Sequence, residues 1–222
     1  MKATADVAVF RRIVEGLRGA GCDAVLNLTT GGAVAGLPLE DRIKVVPELR
    51  PEIASFSAGG GCLLGRWDGG EGRWMRDRFV PLFSSYAELE RVARVFLENG
   101  VKPEIEVYHA GMLNNVRSLF SCGALAEPIL VNLVTGIPGE CTEATVRNLV
   151  HLVGDLPPGA QWLVTAIGAG NHFRMLCVAA AMGGHVRVGL EDNVYIARGE
   201  PARSNGQIVE KAVRVLREIG FE

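Results

Sequence analysis

The stretch Gly183-Gly-His-Val-Arg-Val-Gly-Leu-Glu-Asp-Asn193 decides the fold of this chain. Apolar side chains occupy every second position over residues 186–190, which is the period-two pattern of a β-strand. The alternation puts Arg187 and Glu191 on one face of the predicted strand, and Asp192 begins the next loop. We therefore predict a strand that delivers one cation and two adjacent carboxylates at its end.

Predicted helices flank this strand on both sides. One ends at Gly183, and another begins at Ser204, because Gln207 follows it at the spacing of a capping box. In α/β enzymes, the residues just past the carboxyl end of a parallel strand hold the chemistry. The sequence therefore indicates a candidate site here. An ion pair between Arg187 and Glu191 that only fills the interior is the alternative interpretation.

Length, charge and composition limit the possible classes of protein. The chain has 222 residues, 48% of them hydrophobic, and a net charge of −2. We predict a single domain over residues 1–222 with a full hydrophobic core. No cluster of Lys and Arg alternates with aromatic residues, so we expect no binding of nucleic acid.

The sequence has no run of about 18 apolar residues and no signal peptide, so we expect no membrane span and a cytoplasmic location. The five cysteines are odd in number and scattered, with no Cys-x-x-Cys pair. This pattern is typical of reduced, packed thiols rather than of disulfides or a zinc knuckle.

Strands and helices are predicted to alternate along the whole chain. The predicted strands are residues 23–28, 53–57, 103–109, 129–134, 161–167 and 186–190. The predicted helices are residues 5–17, 38–46, 84–99, 112–120, 142–153, a segment from about 171, and 204–219. Six βα units of this kind predict a parallel sheet, wound either as an open sheet or as a barrel.

Polar residues follow or occupy two other predicted strands. Thr29-Thr30-Gly31-Gly32 comes directly after the first strand, where it would contact an oxyanion or phosphate, or form a plain glycine turn. On the strand 103–109, alternation puts Glu104, Glu106 and Tyr108 on one face. Acids that face the core of an α/β protein are costly unless they are used.

Two glycine-rich segments need separate interpretations. Residues 58–73 contain seven glycines, so we expect an irregular segment that serves as a lid, a binding loop or a disordered stretch. Gly168-Ala-Gly170 suggests a dinucleotide-binding loop, but Phe173 stands where the third glycine belongs and no acidic residue follows at the usual distance. A Rossmann site is therefore not predicted.

Four segments together resemble the β-keto acid cleavage enzymes: residues 183–193, Thr29-Thr-Gly-Gly32, Pro103-Glu-Ile-Glu-Val107 and Ser204-Asn205. The resemblance covers nearly the whole chain, from about residue 5 onward. It implies an α/β fold of the TIM-type (β/α)8 barrel class, usually oligomeric. It also implies zinc as cofactor, and a retro-Claisen reaction that converts a β-keto acid and acetyl-CoA into acetoacetate and a new acyl-CoA.

The resemblance also implies roles for individual residues. Glu191 matches a zinc ligand, Asp192 the base, and Arg187 the residue that orients the base or the substrate. Glu106 matches a supporting acid. Thr29, together with Thr30, Gly31 and Gly32, matches the segment that contacts substrate. In such a site zinc stabilises the enolate that forms when the carbon between the keto and carboxylate groups loses a proton.

The chain also departs from the family pattern. The family's His-x-His zinc motif lies on its second strand and is absent here, where the histidines are His109, His151, His172 and His185. Six predicted strands stand where the family has eight, so we expect an incomplete barrel without the first two strands. An N-terminally truncated chain, a separate chain that supplies the missing strands, and a relative that pairs its open edges in a homo-oligomer are the three explanations.

Three functional hypotheses follow from these observations. The first is a zinc-dependent β-keto acid cleavage enzyme that uses acetyl-CoA. The second is a non-catalytic relative that binds a keto acid or CoA ligand without its own metal site, since Gly60 and Cys62 also replace polar residues of the family pattern. The third is one subunit of a two-chain enzyme.

Overall fold

A computed structural model of the chain describes residues 4–68, 70–71, 73–139 and 141–221, and it omits the side chains at 64–68 and 73–78. Six of the described strands form one parallel sheet in the order β1-β2-β5-β6-β7-β8. The six are β1 (Asn27–Leu28), β2 (Ile53–Ser57), β5 (Lys102–Val107), β6 (Leu130–Thr135), β7 (Gln161–Ala166) and β8 (His185–Val186). The predicted alternation of parallel strands and helices is confirmed.

The order of the strands shows how the sheet is wound. The six strands lie side by side in the same order as they occur in the chain, and every pairing is parallel. An open doubly wound sheet would reverse direction at a switch point, and this sheet does not. Both edges of the described sheet border one cavity, through Asn27 and through residues 187–190. The sheet is therefore curled like part of a barrel wall.

Helices follow the strands and cover the sheet. They are α1 (Val7–Gly19), α2 (Leu39–Ile43), α3 (Val45–Leu49), α4 (Tyr86–Glu98), α5 (Gly111–Ser121), α6 (Val146–Gly154), α7 (His172–Ala181) and α8 (Asn205–Glu218). None of the described helices is long and apolar enough to cross a membrane.

The core lies between the sheet and these helices. Phe56 of β2 and Phe96 of α4 are fully buried, and their rings meet edge to face at 5.6 Å. Ile105 and Leu133 extend the same core along β5 and β6. This packing follows from alternation on the strands and helical spacing on α4, so these elements are where the sequence pattern is strongest.

Helix caps explain where several helices begin. Ser85 caps α4, because its Oγ accepts a hydrogen bond from the N–H of Glu88 at 3.2 Å. Ser204 caps α8 in the same way through Gln207, as the sequence predicts. The predicted helix 142–153 begins later than expected, at α6, because Thr145 is its cap: the Oγ1 of Thr145 accepts from the N–H of Asn148.

The central stretch is a strand over only two residues, which corrects the predicted strand 186–190. Within this stretch only the two residues of β8 pair with β7, and the N–H of Arg187 makes the last hydrogen bond to that strand, to Val164 O at 3.1 Å. After it the chain turns, because the N–H groups of Asp192 and Asn193 both donate to Gly189 O. The turn, rather than strand alternation, brings Arg187 to the carboxylates.

The glycine-rich segment is a β-hairpin, which corrects the expectation of an irregular loop. Strands β3 (Gly61–Asp68) and β4 (Arg73–Pro81) pair antiparallel, with Gly61 opposite Pro81. The carbonyl of Gly60 accepts from the N–H groups of Leu82 and Phe83 and closes the base of the hairpin. Several of the glycines stand at the ends of the two strands, so the high glycine content did not indicate an irregular segment. Gly69 and Gly72 lie outside the described residues.

Two other predicted elements are shorter or broken. Of the predicted strand 23–28, only β1 pairs with β2. The predicted helix 38–46 is divided at Lys44 into α2 and α3. A second antiparallel hairpin, β9 (Tyr195–Ala197) and β10 (Glu200–Pro201), follows the central turn.

Gly184 provides a test of how β8 is held against the sheet. A Cβ atom at this position would lie 2.3 Å from the buried ring of Trp162. We expect Gly184→Ala to lower the free energy of unfolding by about 1–3 kcal/mol, the usual cost of overpacking. Urea denaturation measures the change.

The matched control is Gly16→Ala in α1, where an added Cβ meets no atom within 4 Å. This substitution should be neutral or should stabilise by up to about 1 kcal/mol, because alanine is the better helix former. Equal effects of the two substitutions would contradict the proposed contact with Trp162.

Candidate active site

A cavity of about 570 Å³ opens at the carboxyl ends of β1, β2 and β5 and beside residues 187–192. These ends lie at the same edge of the sheet because the strands are parallel. Three segments contribute to its wall: the loop after β1, the turn after β8, and the start of α8 at Asn205. The cavity therefore lies where α/β proteins place their active sites.

Arg187 is the centre of the cavity's charged cluster. Its Nε lies 3.0 Å from Asp192 Oδ2, and its Nη2 lies 3.1 Å from Asp192 Oδ1. The same Nη2 lies 2.5 Å from Glu191 Oε2, and Nη1 lies 3.9 Å from Glu106 Oε1. One guanidinium thus holds one aspartate at two points and contacts two further carboxylates.

The two adjacent carboxylates have opposite surroundings. The Asp192 side chain is 3% exposed, whereas that of Glu191 is 83% exposed. Burial raises the pKa of Asp192 above its ordinary range, although the neighbouring Arg187 opposes the shift. A fixed carboxylate with a raised pKa accepts a proton more readily than a free aspartate, and this property suits a general base.

Strand β5 supplies a second group of buried acids. Glu104 accepts hydrogen bonds from the side-chain amides of Asn27 and Asn132, the latter at 2.6 Å. Glu106 accepts from Tyr108 Oη at 3.0 Å and from Ser57 Oγ at 3.2 Å. All three residues of the predicted polar face, Glu104, Glu106 and Tyr108, line the cavity.

Burial governs the protonation of this group. It raises the pKa of Glu106, although Tyr108 and Arg187 oppose the shift. Burial together with the nearby Glu106 raises the pKa of Tyr108 well above its usual value. Tyr108 therefore stays a neutral hydroxyl that donates to Glu106 over the whole working range of pH.

The loop after β1 carries the four predicted substrate contacts, and three of them line the cavity. Thr29, Gly31 and Gly32 line the cavity, and Thr29 Oγ1 accepts from the N–H of Gly31 at 2.9 Å. Thr30 is turned toward β2, where its hydroxyl donates to Ser55 O at 2.7 Å and its N–H donates to Ser55 Oγ. Thr30 therefore anchors the loop and does not line the cavity.

Arg42 is a cavity residue that the sequence reasoning missed. It is 7% exposed, and its Nη atoms donate to the carbonyls of Thr30 and Leu82. Its Nε is buried without a partner among the described residues, and burial lowers the pKa of the guanidinium. The signal for it was an arginine between the apolar residues Leu39, Ile43 and Val46 on one helical face.

The sequence model of the β-keto acid cleavage enzymes matches residues 1–222 of the chain. The chain belongs to the β-keto acid cleavage enzyme family. This membership confirms the resemblance on which the residue roles were assigned, and it places the chain among enzymes.

Individual relatives agree with the family assignment. The chain is 40% identical over 211 residues to the 3-keto-5-aminohexanoate cleavage enzyme of Acetoanaerobium sticklandii, covering 95% of this chain and 71% of that protein. It is 30% identical to the 3-dehydrocarnitine:acetyl-CoA trimethylamine transferase of Rhizobium meliloti, covering 96% of this chain and 72% of that one.

A solved structure supports the fold independently. The apo structure of ObcA superimposes with a TM-score of 0.72 at 18% identity, and it covers 98% of this chain and 52% of ObcA. At this identity the likeness bears on the fold alone. It agrees with a curled parallel sheet of the barrel type.

The described residues of this family member do not complete a zinc site. Glu191 is accessible, but its Oε2 already accepts from Arg187. No histidine lines the described cavity, and no described group of three His, Cys, Asp or Glu residues converges to hold a metal. Zinc in proteins needs three or four such ligands. The zinc cofactor therefore stays a prediction.

His172 lies behind the cavity wall rather than on it. Its ring is 2% exposed, and Nδ1 lies 2.9 Å from Ala166 O. His109 and His185 do not line the described cavity either.

Glu106 provides a test of the electrostatics of the cavity. Burial raises its pKa above the ordinary value of 4.5, so the ionised carboxylate disfavours folding above that pH. We expect Glu106→Gln, which keeps a hydrogen-bond acceptor, to raise the free energy of unfolding at neutral pH by about 0.5–2 kcal/mol. The gain should vanish below pH 4.5, where the carboxyl is protonated in both states.

Urea unfolding of wild type and variant at both pH values measures this effect. Glu98→Gln, at an exposed position near the end of α4, is the control and should show no gain. A loss of stability in Glu106→Gln at neutral pH would contradict the statement that the ionised Glu106 carboxylate disfavours folding.

Proposed function

We propose that this chain catalyses the cleavage of a β-keto acid with acetyl-CoA as the second substrate, giving acetoacetate and a new acyl-CoA. Family membership supports the reaction class, and several relatives are named as acetyl-CoA-dependent transferases. One observation on the chain itself supports it most: Arg187 holds the buried Asp192 at two points in the wall of the cavity.

In the proposed reaction, Asp192 takes a proton from the carbon between the keto and carboxylate groups of the substrate. This carbon attacks the carbonyl carbon of the acetyl thioester and expels the CoA thiolate. The thiolate then attacks the original keto carbon. The bond between this keto carbon and the carbon that attacked the thioester breaks, and the new acyl-CoA leaves. Asp192 returns its proton to the acetoacetate enolate. No covalent bond to the protein forms.

Arg187 and the β5 residues act as positioning groups in this scheme. Arg187 fixes both oxygens of Asp192, so the carboxylate meets the substrate in one orientation. Glu106, held by Tyr108 and Ser57, stands on the far side of the guanidinium at 3.9 Å. The network limits the freedom of the base before substrate arrives.

Arg42 supplies the cavity with a cation for the substrate's carboxylate. Within the described residues its guanidinium forms no ion pair, and its two contacts are backbone carbonyls. A buried cation without an anion is costly, and a bound carboxylate relieves that cost. Thr29 and Gly31 lie on the same loop and border the space in which this anion would sit.

Ligand binding without turnover is the second candidate function. The observation that favours it is the incomplete set of metal ligands among the described residues. In that case the charged cavity would retain a keto acid or CoA compound without cleaving it. Turnover of acetyl-CoA distinguishes the two functions.

Asp192→Asn tests the proposed base. We expect kcat for acetoacetate formation from 3-keto-5-aminohexanoate and acetyl-CoA to fall by about 10²–10⁴-fold, with little change in KM. In wild type, kcat/KM should decline as the pH falls through the raised pKa of Asp192, above the ordinary 3.8. The residual activity of the variant should lack this acid limb.

Asp155→Asn is the matched control, because Asp155 is a partly exposed aspartate at the end of α6. It should leave kcat and the acid limb unchanged. Unaltered activity in Asp192→Asn would contradict the role of Asp192 as base.

We further propose that Glu191 is the chain's own contribution to zinc binding. Because no described group of three His, Cys, Asp or Glu residues converges to hold a metal ion, the chain alone should bind zinc at less than one ion per molecule after dialysis against a weak chelator. Elemental analysis measures the content, and Glu191→Gln should lower it. One tightly held zinc per chain in the Glu191→Gln variant would contradict this assignment.

A further inference from the structure

A second cavity, of about 680 Å³, lies between the start of α7 and the β9–β10 hairpin. Its charged lining residues are Arg174, Arg198 and Lys211, and no carboxylate lines its described wall. The chain as a whole has more acids than bases, with a net charge of −2. Three cations around one cavity are therefore a local feature, and they favour an anionic ligand.

Two of these cations have no partner among the described residues. Neither Arg174 nor Arg198 forms an ion pair or a hydrogen bond through its side chain with the described residues, and both are exposed. Lys211 differs, because its Nζ donates to Ile196 O and stands 4.2 Å above the ring of Phe173. The lysine is thus held in place, and the two arginines are available to a ligand.

Backbone groups add to the same preference. Ala169 and Gly170 line the cavity just before α7, and their N–H groups donate to no described acceptor. Unpaired N–H groups at the start of a ten-residue helix attract anions.

The cavity also offers aromatic surface. Phe173 and Tyr195 both line it, together with the small apolar side chains of Ala169 and Ala197. A planar base packs on aromatic rings, while phosphate groups pair with arginines. A ligand that joins a nucleobase to several phosphates therefore suits this cavity better than a simple anion does.

One short segment of the chain contributes a lining residue to each cavity. Asp192 lines the first cavity and Tyr195 lines the second, three residues further on. The N–H of Gly168 donates to Asp192 O at 3.0 Å, so the second cavity's loop is tied to the base. Three extended residues span at most about 11 Å. The pantetheine arm of CoA contains about as many chain atoms as four residues and is long enough to connect the cavities.

We infer that the second cavity binds the adenosine phosphate end of acetyl-CoA, with Arg174 and Arg198 contacting the phosphates. The thioester then reaches the first cavity along the segment between Asp192 and Tyr195. This inference rests on the proposed function, since that function supplies acetyl-CoA as the ligand.

The experiment compares acetyl-CoA with acetyl-pantetheine, which lacks the nucleotide. In the double variant Arg174→Gln, Arg198→Gln, we expect KM for acetyl-CoA to rise about tenfold or more, because each arginine loses a charge-assisted contact. The kcat and the KM values for acetyl-pantetheine and for the keto acid should stay unchanged. The control is Arg214→Gln, an exposed arginine on α8 outside this cavity, and it should behave as wild type.

A binding measurement makes the result independent of turnover. Adenosine 3′,5′-bisphosphate, titrated by calorimetry, should bind wild type and the Arg214→Gln variant, and it should bind the double variant about tenfold or more weakly. If acetyl-CoA turns over but the double variant shows no change in its KM and binds the probe as wild type does, the subsite is wrong and the proposed function stands. If no turnover occurs but probe binding depends on the two arginines, the nucleotide site stands and the proposed function fails.

Discussion

The two-point hydrogen bond between Arg187 and Asp192 is the constraint on which the candidate site depends. Asp192 is nearly fully buried, and a buried carboxylate is tolerated only when a partner compensates for the loss of water. Arg187, the residue directly after β8, is that partner. The turn around Gly189 brings the two together, so a short backbone feature determines where the Asp192 carboxylate lies.

The same guanidinium connects parts of the chain that are far apart in sequence. It contacts Glu106 on β5 as well as Glu191 and Asp192 after β8. Glu106 in turn is held by Ser57 of β2. The wall of the cavity is thus one continuous polar network across the open side of a curled sheet. Such a network favours function at some cost in stability, because its acids are buried.

The sequence predicted the fold well where apolar spacing was regular. Strand β2 and helices such as α4 follow directly from alternation and caps, since one face of each packs on the core. It predicted less where backbone turns override spacing. The stretch 183–193 alternates like a strand, yet hydrogen bonds to the carbonyl of Gly189 end it after two paired residues.

The candidate site divides in the same way. Arg187, Glu191, Asp192 and Glu106 were named from the sequence, and the structure brings all four together. Thr30 was misplaced because a threonine's hydroxyl does not reveal which side of a loop it faces. Arg42 was missed because burial of an arginine depends on contacts from Thr30 and Leu82, which are distant in sequence.

Asn193 has an effect on how this region can vary. Its side chain accepts from the N–H of Tyr195 and donates to the carbonyl of the same residue, which closes a small ring at the start of the hairpin. The tip beyond it, around Gly199, is exposed and antiparallel. Changes of length or composition at the tip should therefore leave the position of Asp192 unchanged. The hairpin tip can therefore differ between relatives while the geometry of Asp192 and Arg187 stays the same.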